Sequence, residues 1–234
     1  MQPLITICAR KGSKGVPGKN TRDFNGRPLI EWTIDTAIEW GVGPIVISSD
    51  DEVVEEIFSD YMHCDIYFDE RPDRLAQDTT PKLDVLRYVA EKTQDVMGDF
   101  DYLVDLDPTN PCRTVADLDI CRTLFENVKP KTLISVTNAR KNPFFNQIRK
   151  FNDTVATVAH SGTIITSRQE TDPLFDVNAA IYFYDMDWLL SESRHSPITN
   201  FTKMYVMEDH AFCDIDSEID FIVAEFLHRK YYLC

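Results

Sequence analysis

The segment Ala9–Asn20, ARKGSKGVPGKN, directly follows the apolar run Leu4-Ile5-Thr6-Ile7-Cys8. A short β-branched run of this kind reads as a buried strand. What comes next is neither strand nor helix. Gly12, Gly15, Pro17 and Gly18 interrupt it, while Arg10, Lys11, Lys14 and Lys19 charge it. Arg22 adds a fifth cation before the first acid, Asp23. Such a loop lets backbone N–H groups approach an anion and supplies cations to neutralise it. Ligands of open α/β sheets gather at strand carboxyl ends, so its position favours a phosphate cradle over a solvated surface loop. The chain as a whole is acidic, with 39 Asp+Glu against 24 Lys+Arg and a net charge of −15. The local reversal of sign therefore points to a polyanionic substrate, while the overall charge disfavours general nucleic-acid binding.

Two familiar phosphate motifs fail here. A Walker loop has four residues between its first glycine and Gly-Lys-[Ser/Thr]. Five residues separate Gly12 from Gly18, and Asn20 stands where the magnesium-binding hydroxyl belongs. The dinucleotide pattern fails because Ser13 takes a glycine position ahead of Gly15 and Gly18.

Strand-like runs recur at 4–9, 44–49, 65–68, 102–107, 132–137 and 179–184, with helical patterns between several of them. Pro28 can start a helix whose Ile30, Ile34, Ala37 and Ile38 share a face, with Gly41 ending it. Thr80-Pro81 reads as an N-cap and first-turn pair for a second helix. Ile219, Ile222, Val223 and Phe226 mark a third. Alternating strands and helices predict an α/β fold: a three-layer αβα arrangement around a mostly parallel sheet. Residues 1–234 read as a single domain. Residues 138–172 break the rhythm and read as an inserted arm of short strands, placed over the active site or at an oligomer contact.

No apolar run reaches the ~18 residues of a membrane span, and no signal-like leader is evident. Cys8, Cys64, Cys112, Cys121, Cys213 and Cys234 are scattered, as expected of free thiols in a reducing cytoplasm. His63, His160, His195, His210 and His228 lack metal spacing, and His160-Ser161 and Ser196 form no nucleophilic triad. Asp214 and Asp216 can present oxygens to one hard cation, or Asp216 or Ser217 can simply cap the last helix. Asp105-Leu106-Asp107 can hold a metal or merely end a strand. Arg71, opening a polar loop, can meet a base or phosphate, or pair with aspartates.

In order along the chain, ARKGSKGVPGKN, Ser48-Ser49-Asp50, RPDRLAQDT from Arg71, LDPTNPCRT from Leu106, NAAIY from Asn178 and DIDSEID from Asp214 resemble the acylneuraminate cytidylyltransferases. The resemblance spans most of the chain and implies that CMP passes from CTP to the anomeric hydroxyl of a nonulosonic acid, with release of pyrophosphate. It implies that Arg10, Ser13, Lys14 and Lys19 hold the triphosphate, with Ala9 in the same nucleotide-binding set and Lys19 stabilising charge at the α-phosphate. Asn20 and Arg71 would contact the cytidine, and Asp214 and Asp216 would carry Mg²⁺, making Lys19 and Asp216 the catalytic pair. Asp107, Arg168, Asp176 and Asn178 would form the sugar site, with Arg168 facing the sugar carboxylate. The family also implies a homodimer in which the arm of one copy covers the site of the other.

Members specific for N-acetylneuraminate usually carry glutamine where Asp107 stands, arginine where Asp176 stands and glycine where Ala179 stands. These differences suggest a relative such as legionaminic acid as acceptor. A glycosyltransferase using Asp105 and Asp107, an enzyme for the eight-carbon acid of lipopolysaccharide, and a non-catalytic nucleotide-binding protein are the competing readings.

Overall fold

A computed structural model describes residues 1–233 except 63, 153, 160–161, 163–164 and 192–195. The first half comprises β1 (Pro3–Ala9), β2 (Asp23–Phe24), β3 (Arg27–Pro28), α1 (Leu29–Trp40), β4 (Ile45–Ser49), α2 (Glu52–Ser59), β5 (Ile66–Glu70), α3 (Lys82–Met97) and β6 (Tyr102–Leu106). The second half adds α4 (Val115–Val128), β7 (Thr132–Asn138), β8 (Ile148–Phe151), β9 (Thr154–Thr157), β10 (Phe175–Asp185), α5 (Met186–Ser191), β11 (Thr202–Val206) and α6 (Glu218–Tyr232).

Seven strands form one sheet in the order β11-β7-β10-β6-β1-β4-β5. Every pairing in it is parallel except those of β10, which runs antiparallel to both β6 and β7. The carboxyl ends of β1, β4, β5, β6 and β7 thus share one edge with the start of β10. Helices cover both faces. Ile5, Ile7, Ile47 and Val104 meet Ile30, Ile34 and Ala37 of α1 and Leu118 and Phe125 of α4. Leu4, Val46 and Leu103 meet Leu83, Leu86 and Val89 of α3 and Leu189 of α5. No helix among the described residues is long and apolar enough to cross a membrane.

The predicted strands all form, and α1 ends at Gly41, whose φ of 56° is the left-handed cap expected of glycine. Three helices and one strand carry too weak a pattern to stand out in the sequence: α2, α4, the six-residue α5 and the edge strand β11. The second predicted helix is capped differently. Pro81 is its N-cap residue, at ψ 136° and with no side-chain bond, while Thr80 Oγ1 donates instead to Arg74 O. The apolar repeat of α6 is helical but faces outward, leaving Ile219, Ile222 and Phe226 well exposed while Phe221, Ala224 and His228 are buried.

Within 138–172, β8 and β9 form a separate antiparallel hairpin with Ile148 and Val155 exposed. Cys8, Cys64, Cys112, Cys121 and Cys213 are free, and Cys234 lies outside the described residues. His210 and His228 pack against aromatic rings. His63, His160, Ser161 and His195 lie outside the described residues.

Candidate active site

The cationic loop leaves β1 and is tied down by one apolar side chain. Val16 is buried with Phe24, Leu29, Ile215 and Phe221 in a third cluster, distinct from the two sheet faces. Ile215 lies between Asp214 and Asp216, so this cluster brings the loop against the acidic pair. Gly15 shows how close the approach is: a Cβ there would lie 1.8 Å from Asp216 O. Lys19, almost fully buried, donates from Nζ to Ile215 O and stands 3.8 Å from Asp216 Oδ1.

A cavity of about 370 Å³ opens beneath the loop. Arg10, Ser13, Lys14, Gly15, Lys19 and Asn20 of the loop line it together with Arg71, Leu75, Gln77, Thr80, Lys82, Asp107, Thr109 and Asp216. Asp78 binds Arg10 at 2.6 Å and Lys14 at 2.5 Å, holding two loop cations in place while its own pKa is lowered, chiefly by Lys14. Ala9 closes β1 opposite Ser49. Asn20 is buried, with Nδ2 3.4 Å from Arg10 O and Oδ1 lacking a partner among the described residues. Arg71 is buried rather than a surface ion-pair residue. Its Nη2 donates to Ser48 O at 2.6 Å and its Nε to Ser48 Oγ at 3.3 Å, which aims the guanidinium along the cavity wall.

Asp214 and Asp216 differ in environment. Ser217, not Asp216, caps α6 by accepting from Asp220 N. Asp216 is exposed. Burial pushes Asp214 up to about 6, with Asp107 and Asp216 adding to the rise and Thr109 and Lys19 opposing it. Asp214 Oδ1 is buried and has no hydrogen-bond partner among the described residues. A buried carboxylate oxygen without a donor, beside a second carboxylate and a cationic loop, suits a hard cation that keeps waters and phosphate oxygens as its other ligands. The residues present therefore fit Mg²⁺.

Asp105 and Asp107 are arranged otherwise. Lys82 Nζ lies 2.7 Å from Asp105 Oδ2 and 2.5 Å from Asp107 Oδ2, so an ammonium takes the place a metal would need. Burial works against charge on Lys82, but Asp105 and Asp107 outweigh it and hold its pKa well above the ordinary lysine value. Burial pushes Asp105 up, whereas at Asp107 Lys82 and Thr109 overcome burial and bring the carboxyl down. Asp105 is fully buried and also accepts from Thr6 Oγ1 at 3.1 Å. This removes the metal motif on which the glycosyltransferase reading rests.

Of the expected sugar residues, only Asp107 lines this cavity. Arg168 is exposed on a short 3₁₀ turn, donates to Arg140 O at 2.6 Å, and lines neighbouring hollows with Arg140, Lys141 and Asp209. Asp176 accepts from Arg140 N at 3.0 Å beside them. Asn178 is a correction. It is completely buried, with Oδ1 accepting from Ser135 Oγ at 2.7 Å and Nδ2 donating to Ala211 O at 2.9 Å, so its amide is spent on the fold.

Sequence reasoning missed Lys82 and Arg113. Arg113 donates to Asp107 O at 3.0 and 2.9 Å and also to Ala180 O and Thr33 Oγ1, fixing the Asp107 backbone from below. A lysine after Thr-Pro and an arginine after Pro-Cys carry no local signal of this.

The family model described as cytidylyltransferase matches residues 4–231. The chain belongs to the cytidylyltransferase family. This cytidylyltransferase is 36% identical over 229 residues to post-translational flagellin modification protein B of Campylobacter coli, covering 97% of this chain and 95% of that protein. It is 34% identical over 226 residues to the CMP-N,N'-diacetyllegionaminic acid synthase of Campylobacter jejuni, covering 96% and 94%. Its fold matches the CTP complex of CMP:2-keto-3-deoxy-manno-octonic acid synthetase at a TM-score of 0.69, with 16% identity and coverage of 98% and 99%.

Proposed function

We propose that this cytidylyltransferase joins CMP from CTP to the anomeric hydroxyl of a nonulosonic acid, of legionaminic rather than N-acetylneuraminic type. The observation that carries the reaction is the shared cavity in which Arg10, Lys14, Lys19 and Arg71 converge on the Asp214–Asp216 segment. The acceptor assignment is supported by the likeness to the Campylobacter jejuni synthase and by a carboxylate, Asp176, beside Arg168 where N-acetylneuraminate enzymes carry arginine.

The acceptor oxygen attacks the α-phosphorus as the bond to the β-phosphate oxygen breaks, pyrophosphate leaves, and the hydroxyl proton passes to water. Arg10, Ser13 and Lys14 hold the triphosphate in line, and Lys19 neutralises charge gathering on the α-phosphate. Val16 and Gly15 keep these groups in register with Asp216. Arg71 and Asn20 meet the cytidine. Asp214 and Asp216 would hold Mg²⁺, which when bound lowers the cost of deprotonating the attacking hydroxyl. Arg168, with Arg140 and Lys141 nearby, receives the sugar carboxylate as a bidentate partner. The enzyme works as a cytoplasmic homodimer, the 138–172 arm reaching the partner's site; the exposed Ile148 and Val155 and the free thiols support this.

The test is pyrophosphate release with CTP, Mg²⁺ and each of N,N'-diacetyllegionaminic, N-acetylneuraminic and pseudaminic acids. Preference for the first is expected, and Asp216→Ala abolishes turnover. Preference for N-acetylneuraminate would sink the acceptor assignment, and full activity of the variant would remove Asp216 from the metal site.

A further inference from the structure

A line of side chains leads from Arg71 out of the cavity to the surface of α3. Ser48 and Asp69 are register partners at the carboxyl ends of β4 and β5. They share the sheet face of Val46, which α3 covers. An ionised carboxylate only accepts, so the Ser48 hydroxyl donates to Asp69 Oδ2, at 2.9 Å. That fixes the hydroxyl and turns its lone pairs to Arg71 Nε at 3.3 Å, while Ser48 O accepts from Arg71 Nη2 at 2.6 Å. On the other side, Asp69 Oδ1 accepts from Lys92 Nζ at 2.6 Å. Arg71 Nη1 has no partner among the described residues, and the side chain lines the cavity. Its N–H groups are the ones left for a ligand.

Two cations thus flank one carboxylate, and Lys92 is the one that touches it. Asp69 is 4% exposed, whereas half of the Lys92 side chain reaches solvent. The bond to Asp69 raises the Lys92 pKa, and the Tyr88 ring, 5.6 Å from Nζ, helps to hold the ammonium. With Asp69 neutralised from the helix side, Arg71 meets the uncharged oxygens of Ser48 and forms no ion pair among the described residues. Its charge stays available to the cavity. Without Lys92 the buried carboxylate would keep an unanswered charge, which is strongly unfavourable. Arg71, one serine away, is the cation left to answer it, and turning to Asp69 takes its guanidinium out of the cavity.

We propose that Lys92, acting through Asp69 and Ser48, is a positioning residue that holds Arg71 towards the nucleotide, so that a half-exposed lysine on α3 sets the affinity for CTP. The proposal rests on the reading of Arg71 as a cytidine contact. Losing the arrangement removes about one hydrogen bond to a charged group, worth about tenfold in affinity.

The experiment is calorimetric titration of the Mg²⁺-loaded enzyme with CTP and, separately, with inorganic tripolyphosphate, which carries the phosphates without the nucleoside. Lys92→Gln is expected to bind CTP about tenfold more weakly and tripolyphosphate within about twofold of the parent. Lys92→Arg, which restores the charge and a donor, should bring CTP back to within about threefold. Ser48→Ala should weaken CTP as Lys92→Gln does, and the double variant should lose no more than either alone, because both break one chain. Ser48→Ala carries the same test should thermal melting show that Lys92→Gln does not fold. Unchanged CTP affinity in Lys92→Gln would overturn the proposal, as would additive losses in the double variant. Equal weakening of CTP and tripolyphosphate would overturn it too, since a lysine that merely supports the fold acts on both. Arg71→Lys separates the proposal from the reading beneath it. If that variant binds CTP like the parent, the cytidine contact falls and takes the proposal with it. Weak CTP binding there, beside an unaffected Lys92→Gln, defeats the positioning chain alone.

Discussion

Gly15 offers the sharpest perturbation of the site. Its Cβ would lie 1.8 Å from Asp216 O and 2.9 Å from Asp216 C, both backbone atoms that cannot rotate aside. Alanine at this position therefore has to push the loop and the Asp214–Asp216 segment apart. Reaching the 3.0 Å below which real Cβ contacts essentially never fall takes a shift of about 1.2 Å. The shift falls on the bonds that align Lys19 with Ile215 and Asp216. Displacement of reacting groups by about 1 Å can cost about 10²-fold in rate. Gly15→Ala is thus expected to lose about 10²-fold in kcat/KM for CTP. Forced separation of packed groups costs about 1–3 kcal/mol in stability, so the variant should still fold. Gly12→Ala is the control. No atom of the described residues lies within 4 Å of its added Cβ, but its φ of +81° disfavours any side chain. It should lose about 1–2 kcal/mol of stability at most and keep most of its activity. The assays are pyrophosphate release and thermal melting. A Gly15→Ala enzyme within about threefold of the parent would refute the steric coupling of loop and acidic pair.

Ala179 sits at φ 58° beside the register shift between Val177 and Tyr182, so Ala179→Gly should relieve left-handed strain. The gain, after glycine's larger unfolded entropy, is about 0.5–1 kcal/mol, or a Tm increase of roughly 1–4 °C by calorimetry. His228 is buried among Phe24, Trp32 and Tyr232, and burial, with Arg27 adding, lowers its pKa to about 4. The unfolded chain binds the proton first as pH falls below 6.5, so stability declines between about pH 6.5 and 4, by up to about 3 kcal/mol. Urea denaturation across that range should show a shallower decline in His228→Phe than in the parent; identical slopes would count against it.

The loop and the strand before it were legible because a period-free apolar run and its glycine and lysine punctuation are local signals. Gly41 was legible for the same reason, as a left-handed cap needs no knowledge of the rest of the chain. The direction of β10 was not, since an antiparallel strand buried on both faces carries the same residues as a parallel one. Nor was the exposure of Ile219 and Ile222, because helical spacing reveals a face without saying what it meets. Asn178 misled most. Its place beside small residues suits a ligand or tight packing equally, and only its bonds to Ser135 and Ala211 decide between them. Lys82 was hidden because its meaning lies in a carboxylate 25 residues away.

Val16 and Lys19 meet Ile215 across nearly the whole chain, the Lys19 contact spanning 196 residues. At synthesis rates of about 5–20 residues per second, the loop emerges about 10–40 s before the segment that floors it. During that interval Asp78 can already hold Arg10 and Lys14, but Lys19 faces solvent without its partner. The parallel β4-β1-β6 core of the sheet can therefore be made well before the chain can grip a triphosphate, whereas β11, ending at Val206, precedes the acidic segment by only a few residues. Nucleotide affinity is then the last property the polypeptide gains, and a translational pause or cleavage ahead of residue 213 would leave a folded body unable to bind its substrate.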